Sequence, residues 1–328
     1  NYICALDIGS SKICASLAQL KGKHIISLYY ESIASKGINK AVITDSIELV
    51  GCLGKILKNL KAKSGIKIKS VYLNISGQEV VTKHSRAVIP LAERGNKVIT
   101  ASDISKVNQQ ARILGSSLDE EILHAIAVSY SVDNKSNILR PIGLYGHKLE
   151  ADLFLVSGKL SLMQNLSRVV NQAGYEVKEF FFSGMATAGA VFADKAQEGS
   201  TVICDIGTSI TEISLFKNSN LESVEIINAG GEDLTQALAQ ELKITRELAE
   251  ELKISYASIG DLAAVNQEKE ILLKQGLSYK PLRQKVISQI ITEKAKTINL
   301  KIKQSLERIT AVTQVDNFIA VGRTALID

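Results

Sequence analysis

The sequence predicts a two-lobed, duplicated α/β fold with a small β-α-β-β block set into its first half. Three observations predict it. The acidic, glycine-kinked stretch "ALDIGSSKICASLA" from Ala5 returns in the second half as "VICDIGTSITEISLF" from Val202. Each copy has an apolar run before its Asp-Ile-Gly core and alternating apolar residues after it, the pattern of a strand, a tight turn and a second strand. Between the copies, residues 78–158 run strand, helix, strand, strand, too few elements for a large core of their own.

In chain order, residues 2–20 read as two strands about the Gly9-Ser10-Ser11 turn, and His24 to Ser32 as a third. Asp45 to Lys61, after Thr44, reads as a helix whose apolar face is Ile47, Val50, Leu53, Leu57 and Leu60. "SVYLNISG" is the next strand. The block that follows starts with "EVVTKHSRAVIP" and then a helix, "ITASDISKVNQQARIL", where Thr100 and Asp103 form a capping-box pattern. The strands "EILHAIAVSYSVD" and "GHKLEADLFLVSG" close the block. A helix from Leu160 to Gln172 ends near Gly174, "VKEFFFSG" is a strand, and "MATAGAVFADK" is a helix whose small residues at 186, 188, 189 and 190 suit a closely packed hinge. The second half gives strand, turn, strand and "LESVEIINA", then the helices "GEDLTQALAQELK" and "TRELAEELKISYA" and a long one from about Leu282 to Thr310. It finishes on the strand "NFIAV" and the turn "GRTALID".

These elements divide the chain into a first-lobe core (1–77 and 159–198, the latter with the hinge), the inserted subdomain (78–158), a second-lobe core (199–231), a helical subdomain (232–313) and a closing strand and turn (314–328).

Composition narrows the function. A chain of 328 residues is long enough for about two domains. With 45% hydrophobic and 22% charged residues it is globular rather than disordered. The net charge of +5 is spread along the chain and only 5% of residues are aromatic, which argues against nucleic acid as a partner. The densest basic run, "KILKNLKAKSGIKIKS" from Lys55, reads as the solvated face of a helix running into a strand. Cysteines 4, 14, 52 and 204 and histidines 24, 84, 124 and 147 are scattered without metal-ligand spacing, and no apolar run is long enough to span a bilayer. The chain begins at Asn1 directly on a strand, as a trimmed fragment would.

The repeated turn carries the chemistry. Gly9 and Gly207 let backbone N–H groups approach a ligand; Ser10, Ser11, Thr208, Ser209 and Thr211 add hydroxyls, and Lys12 a positive charge. Donors without acceptors suit phosphate. Asp7 and Asp205 would repel it unless a cation stood between, and Mg²⁺, which keeps several waters and takes carboxylate and phosphate oxygens, resolves the conflict. Gly230 and Gly231 precede a helix start, where free N–H groups and about half a positive charge favour anions. Glu250 and Lys253, three apart on one helix face, are placed to hold a ribose or base; the plain alternative is a surface ion pair.

These motifs, "DIGSSK", "DIGTSIT", "AGGED" and "FIAVGRT", resemble those of the actin/Hsp70/sugar-kinase ATPase superfamily. The block with "YLNISGQEV", "ITASDISKV", "ILHAIAVSYSVD" and "PIGLYGHKLEADLFLVSG", together with "LAEELKISYAS", is similar to the FtsA family of bacterial cell-division proteins over essentially the whole chain. The resemblance implies an actin-like, ribonuclease-H-type duplicated fold that binds ATP with Mg²⁺ and is a weak ATPase at most. It implies head-to-tail self-association, tethering of the tubulin-like division protein FtsZ at the inner face of the cytoplasmic membrane, and recruitment of later division proteins through the inserted subdomain. It places Asp7, Gly9, Ser10, Ser11 and Lys12 on one side of the phosphates and Asp205, Gly207, Thr208, Ser209 and Thr211 on the other, with the metal held by Asp7 and Asp205 through water. Gly230, Gly231, Glu250, Lys253 and Gly322 would surround the nucleoside. No catalytic residue is assigned.

Ser209 stands where the family's second phosphate motif has Gly, and Arg323 where its closing turn has a second Gly, so weakened binding or hydrolysis is expected. The sequence stops at Asp328, before the family's C-terminal amphipathic membrane helix, through which alone the membrane contact would run. The FtsZ tail is expected on the helical part of the second lobe, where Lys294, Lys301 and Lys303 could meet acidic residues. Two other readings stay open: a partner-binding scaffold that needs no nucleotide, and a small-molecule kinase, for which no carboxylate base is evident.

Overall fold

The computed structural model describes residues 1–22, 24–92, 95–193, 197–259, 270–275 and 278–327, and these form two compact units. The first comprises Asn1–Glu198 with Phe216–Val224; the second comprises Gly199–Leu215 with Glu225–Asp328. The last two residues of the small-residue helix as read from sequence, 194 and 195, and the terminal residue 328 lie outside the described residues.

In the first unit β1 (Tyr2–Ile8), β2 (Lys12–Lys21) and β3 (His24–Ala34) form an antiparallel meander. A two-residue ladder, β4 (Ile38–Asn39) with β5 (Val42–Ile43), leads into α1 (Ser46–Ser64), and β6 (Ser70–Ile75) returns parallel to β1. Alternation decides which side is covered: Cys4 and Leu6 of β1 and Ile13, Ala15 and Leu17 of β2 face one way and are buried with Leu49, Leu53, Ile56, Leu57 and Leu60 of α1. The helix starts where Asp45 accepts from the N–H groups of Ile47 and Glu48, and ends at Gly65 with φ 70°. Its buried stripe differs from the sequence reading. Ile47 is 83% exposed, because the stripe runs through Leu49 and Ile56 and leaves the first turn's Ile47 on the opposite side.

The inserted block contains β7 (Val80–Pro90), β8 (Lys97–Val98), α2 (Ala101–Leu114), β9 (Glu120–Val132), β10 (Lys135–Ile138), β11 (Tyr145–Gly146) and β12 (Lys148–Lys159). Its sheet has the order β10-β9-β12-β7, and β8 pairs with β11. The capping box forms as expected: Thr100 and Asp103 exchange hydrogen bonds at the start of α2, and Lys97 anchors Asp103 at 2.8 Å. Val107 and Ala111 of α2 pack on Leu149, Ala151, Leu153 and Leu155 of β12, so the block has a small core of its own.

β12 leads directly into α3 (Leu160–Gln172), whose Leu162, Met163, Leu166, Val169 and Val170 join the core under β1 and β6. β13 (Glu176–Phe182) adds to β6 in parallel, completing the order β13-β6-β1-β2-β3. α4 (Ser183–Phe192) buries Gly184, Ala188 and Phe192 at four-residue spacing. Ala186, Gly189 and Ala190 are exposed, so three of the four small residues expected to pack closely do not.

The second half of the chain repeats the opening. β14 (Ser200–Ile206), β15 (Thr211–Lys217) and β16 (Asn220–Ile227) form a meander, and β19 (Asn317–Val321) lies parallel to β14, as β6 does to β1. α5 (Gly231–Leu242), α6 (Arg246–Tyr256) and α7 (Gln284–Ile309) bury Leu234, Leu238, Ala249, Leu252, Ile287, Ile291 and Ile298 with Val202, Cys204 and Ile213 of the sheet. A hairpin absent from the sequence reading, β17 (Glu270–Gln275) with β18 (Ser278–Arg283), precedes α7.

Candidate functional site

The two acidic turns have the same geometry. In the first unit the Gly9 N–H donates to the Lys12 carbonyl at 3.0 Å; in the second the Gly207 N–H donates to the Ile210 carbonyl at 3.0 Å. A Cβ would lie 3.0 Å from that carbonyl at Gly9 and 2.9 Å at Gly207, so both turns need glycine for their own closure. Asp7 and Asp205 each occupy the penultimate position of the strand that delivers the turn. Among the described residues, no protein acceptor meets the backbone N–H groups of Ser10, Ser11, Thr208 or Ser209.

In the first unit Asp7 accepts from Asn74 Nδ2 at 2.9 Å, which is possible because parallel pairing of β1 with β6 aligns Leu6 with Leu73. Asp7 retains exposed surface, yet its carboxyl is crowded by protein. That desolvation raises its pKa above the ordinary carboxylate value, against the opposing pull of the Asn74 hydrogen bond and the Lys12 charge. The Ser10 hydroxyl accepts from the Lys40 N–H at 3.0 Å, and the Ser11 carbonyl from the Ser35 N–H.

In the second unit three turns meet at one carbonyl. Gly207 O accepts from the Gly231 N–H and from Thr324 Oγ1, each at 3.0 Å, while Thr208 O accepts from the Glu232 N–H at 2.7 Å. The Gly230 N–H goes to Asp233 Oδ2 and the Asp233 N–H to Gly230 O. The first N–H groups of α5 are therefore all satisfied within the chain. This corrects the expectation of free donors at that helix start; the Gly-Gly pair is there for contact between turns. A Cβ on Gly230 would sit 2.5 Å from Gly207 O, and one on Gly231 would sit 2.6 Å from Thr324 Oγ1. Gly322, at φ 92°, lies against β14, where a Cβ would be 2.5 Å from Ile206 O and 2.6 Å from Asp205 Oδ1.

Two further side chains differ from their expected settings. Thr211 is fully buried and its hydroxyl donates to Ala229 O at 2.7 Å, so it supplies a strand contact rather than an open donor. Lys253 is buried, not a surface ion-pair partner. It donates to Glu250 Oε2 at 2.6 Å, Thr235 Oγ1 at 2.7 Å and Gly231 O at 3.0 Å, which uses its three N–H donors. Thr235, fully buried, also bonds Glu250. Burial pushes the Glu250 pKa up, but the hydrogen bonds from Lys253 and Thr235 with the charges of Lys253 and Arg246 outweigh it and hold the carboxyl below its ordinary value. Ser209 is buried, and Arg323 is exposed in a short 3₁₀ turn, Arg323–Leu326.

Asn74, Thr235, Asp233 and Thr324 are residues that sequence reasoning missed. Asn74, Thr235 and Thr324 act through partners distant in sequence, which only strand pairing or helix docking brings together, whereas Asp233 caps Gly230 three residues before it. Among the described residues, no group of three or more His, Cys, Asp or Glu could hold a metal ion. Nor is any helix long and apolar enough to cross a membrane.

A family model described as the SHS2 domain inserted in FtsA matches residues 77–157, and one described as cell division protein FtsA matches residues 202–326, together more than half of the chain. The chain belongs to the FtsA family. Relatives named cell division protein FtsA include that of Streptococcus pneumoniae, 25% identical over 99% of this chain and 71% of its own length. Those of Borreliella burgdorferi (26% identical, 95% and 74%) and Escherichia coli K12 (22%, 94% and 74%) belong with it. Among solved structures the chain resembles the PilM-PilN type IV pilus biogenesis complex with a TM-score of 0.64 at 14% identity, covering 99% of this chain and 82% of that one. It resembles MreB5 of Spiroplasma citri bound to ADP with a TM-score of 0.57 at 13% identity, covering 100% and 86%. These likenesses establish the actin-like fold, with the SHS2 block inserted in the first lobe.

Proposed function

We propose that this family member is an ATP-binding scaffold of bacterial cell division, in which the two acidic turns address one Mg²⁺-bound triphosphate. The observation that carries the reading is the duplicated turn: two hairpins with the same internal hydrogen bond, an aspartate at the same position, and N–H groups at Ser10, Ser11, Thr208 and Ser209 that meet no acceptor among the described residues. That donor set fits phosphate. The paired carboxylates fit a cation that takes its remaining ligands from water and phosphate, which is how Mg²⁺ is held, and its charge would neutralise the phosphates. Because Lys253 is spent inside the second unit, Glu250 is the member of that pair left to receive a ribose hydroxyl, with Gly230, Gly231 and Gly322 shaping the wall.

Occupancy would then bias the relative closure of two lobes, and with it a head-to-tail contact that generates open filaments. In this reading the FtsZ tail docks on the helical part of the second unit. There Lys301 and Lys303 are exposed, and Lys303 stands 3.9 Å from Glu307. Later division proteins meet the inserted block, and the protein works at the inner face of the cytoplasmic membrane. Calorimetric titration with Mg-ATP tests the core of it. Micromolar binding that is lost in Asp7→Asn and in Asp205→Asn is expected; no binding by the unmodified chain would transfer the reading to a nucleotide-independent scaffold, which Ser209 in the second turn favours.

A further inference from the structure

The two acidic turns share a backbone but not a charge. In the first, Lys12 closes the turn with its carbonyl and its ammonium favours the ionised form of Asp7. In the second, the same position is Ile210, which closes the turn and brings no charge. Apart from Lys217, at the far end of β15, the sequence has no Lys or Arg from residue 196 to residue 242. A wall that faces a polyphosphate with Asp205 and no cation of its own is electrostatically incomplete.

The cation arrives from the closing turn. Arg246 on α6 is held at both nitrogens by Glu232, and Lys253 has its three donors in use. Arg323 is exposed and, unlike Arg86, Arg246, Arg283 and Arg308, meets no carboxylate among the described residues. Its backbone is fixed beside the second turn from both sides. Gly322 before it runs so close that a Cβ would lie 2.6 Å from Asp205 Oδ1, and Thr324 after it donates through Oγ1 to Gly207 O at 3.0 Å. β19 runs parallel to β14 with Val321 opposite Asp205, so Arg323 stands just beyond the carboxyl ends of two parallel strands, the edge at which open α/β sheets take ligands. The close approach is made at Gly322, and the arginine is not wedged into the turn.

We propose that Arg323 binds the phosphate chain of the nucleotide, giving the second turn the cation that Lys12 gives the first. The inference rests on the Mg-ATP reading and adds to it a residue and a specificity: the grip falls on phosphate, not on sugar or base. A guanidinium suits the task because it is always charged and presents paired N–H donors that match two phosphate oxygens. Lysine would keep the charge and lose the fork. The contribution exists for nucleotides and is absent for the nucleoside.

Calorimetric titration of the 328-residue chain with Mg-ATP, Mg-ADP and adenosine tests it. R323Q is expected to bind Mg-ATP about ten- to a hundredfold more weakly, the loss of charge-assisted hydrogen bonds, and Mg-ADP more weakly too. Its affinity for adenosine is expected to equal that of the unmodified chain. R323K is expected to recover part of the loss. R140Q, which removes the same charge from the inserted block, is expected to bind all three ligands as the unmodified chain does. Thermal melts establish that each variant is folded at the temperature of titration. Unchanged Mg-ATP affinity in R323Q, an equal loss in R140Q, or an equal loss for adenosine, which a guanidinium stacked on the base would give, would each overturn the inference. In those cases binding that is still lost in Asp7→Asn and Asp205→Asn leaves the nucleotide reading standing, whereas an unmodified chain that binds no Mg-ATP removes both.

Discussion

Lys253 donates to the carbonyl oxygen of Gly231 at 3.0 Å, tying the last turn of α6 to the first residue of α5. Its other two donors go to Glu250 and Thr235, so one buried ammonium fixes the angle between two helices and the turn in front of them. A buried charge of this kind is costly to leave half-paired.

Lys253→Ala is accordingly expected to destabilise the protein by about 2–4 kcal/mol, and Lys253→Met, which keeps the stem, by less. Urea denaturation measures both. The Glu250 pKa is depressed in the folded state. Its contribution is therefore present above the unfolded carboxylate pKa and lost as pH falls through the lower folded value. Lys253→Met should flatten that acid limb; an unchanged limb would remove Lys253 from its cause.

Glycine positions in this chain divide by what a Cβ would meet. At Gly322 the backbone is at φ 92° and a Cβ would strike Ile206 O, so Gly322→Ala is expected to cost about 1–3 kcal/mol. At Gly51 and Gly54 the space is open and the backbone helical, so Ala is expected to stabilise by about 0.5–1 kcal/mol at each. Thermal melts of the three single variants should move in these opposite directions.

The longer strands, the helices and the doubling of the turn are legible in the sequence, because period-2 and period-3.6 patterns and the repeated Asp-Ile-Gly core are local, whereas the β17–β18 hairpin is not. Contacts that cross between elements were not legible. Lys253 reads in sequence as a ribose- or base-holding partner of Glu250, with an exposed ion pair as the alternative, because three-residue spacing says nothing of burial, and only the docking of α5 on α6 buries it. The start of α5 looked like an anion site because a helix start is one by default; here the carbonyls of Gly207 and Thr208 already occupy it. Ile47 belongs to a run of apolar residues wide enough for two stripes, and the choice between them lies with the sheet.

Thr211 separates a structural hydroxyl from a ligand-facing one. Thr211→Val keeps the shape but leaves Ala229 O without its donor, so a loss of about 1–2 kcal/mol is expected in denaturant melts. Calorimetric affinity for Mg-ATP should be unchanged in the same variant below its melting temperature. A selective loss of affinity without loss of stability would return Thr211 to the phosphate-facing set.

His124 joins the inserted block to the first-lobe sheet, and the join holds in only one protonation state. Its Nε2 lies 3.0 Å from the Phe182 N–H, the group at the entry to α4, and must accept that bond as a neutral ring. Burial depresses its pKa below the ordinary histidine value, with the Glu179 charge opposing. The sign follows from linkage: the unfolded chain takes up the proton first. The contribution is full above the unfolded pKa of about 6.5 and lost as pH falls through the lower folded value. His124→Gln can present a carbonyl to the Phe182 N–H without titrating, and is expected to weaken the acid dependence at little cost near neutral pH. His124→Phe leaves that N–H without an acceptor and is expected to cost about 1–3 kcal/mol at every pH. Denaturation of the three proteins between pH 5 and 8 distinguishes the cases, since a merely space-filling histidine would leave the Phe variant as stable as the original.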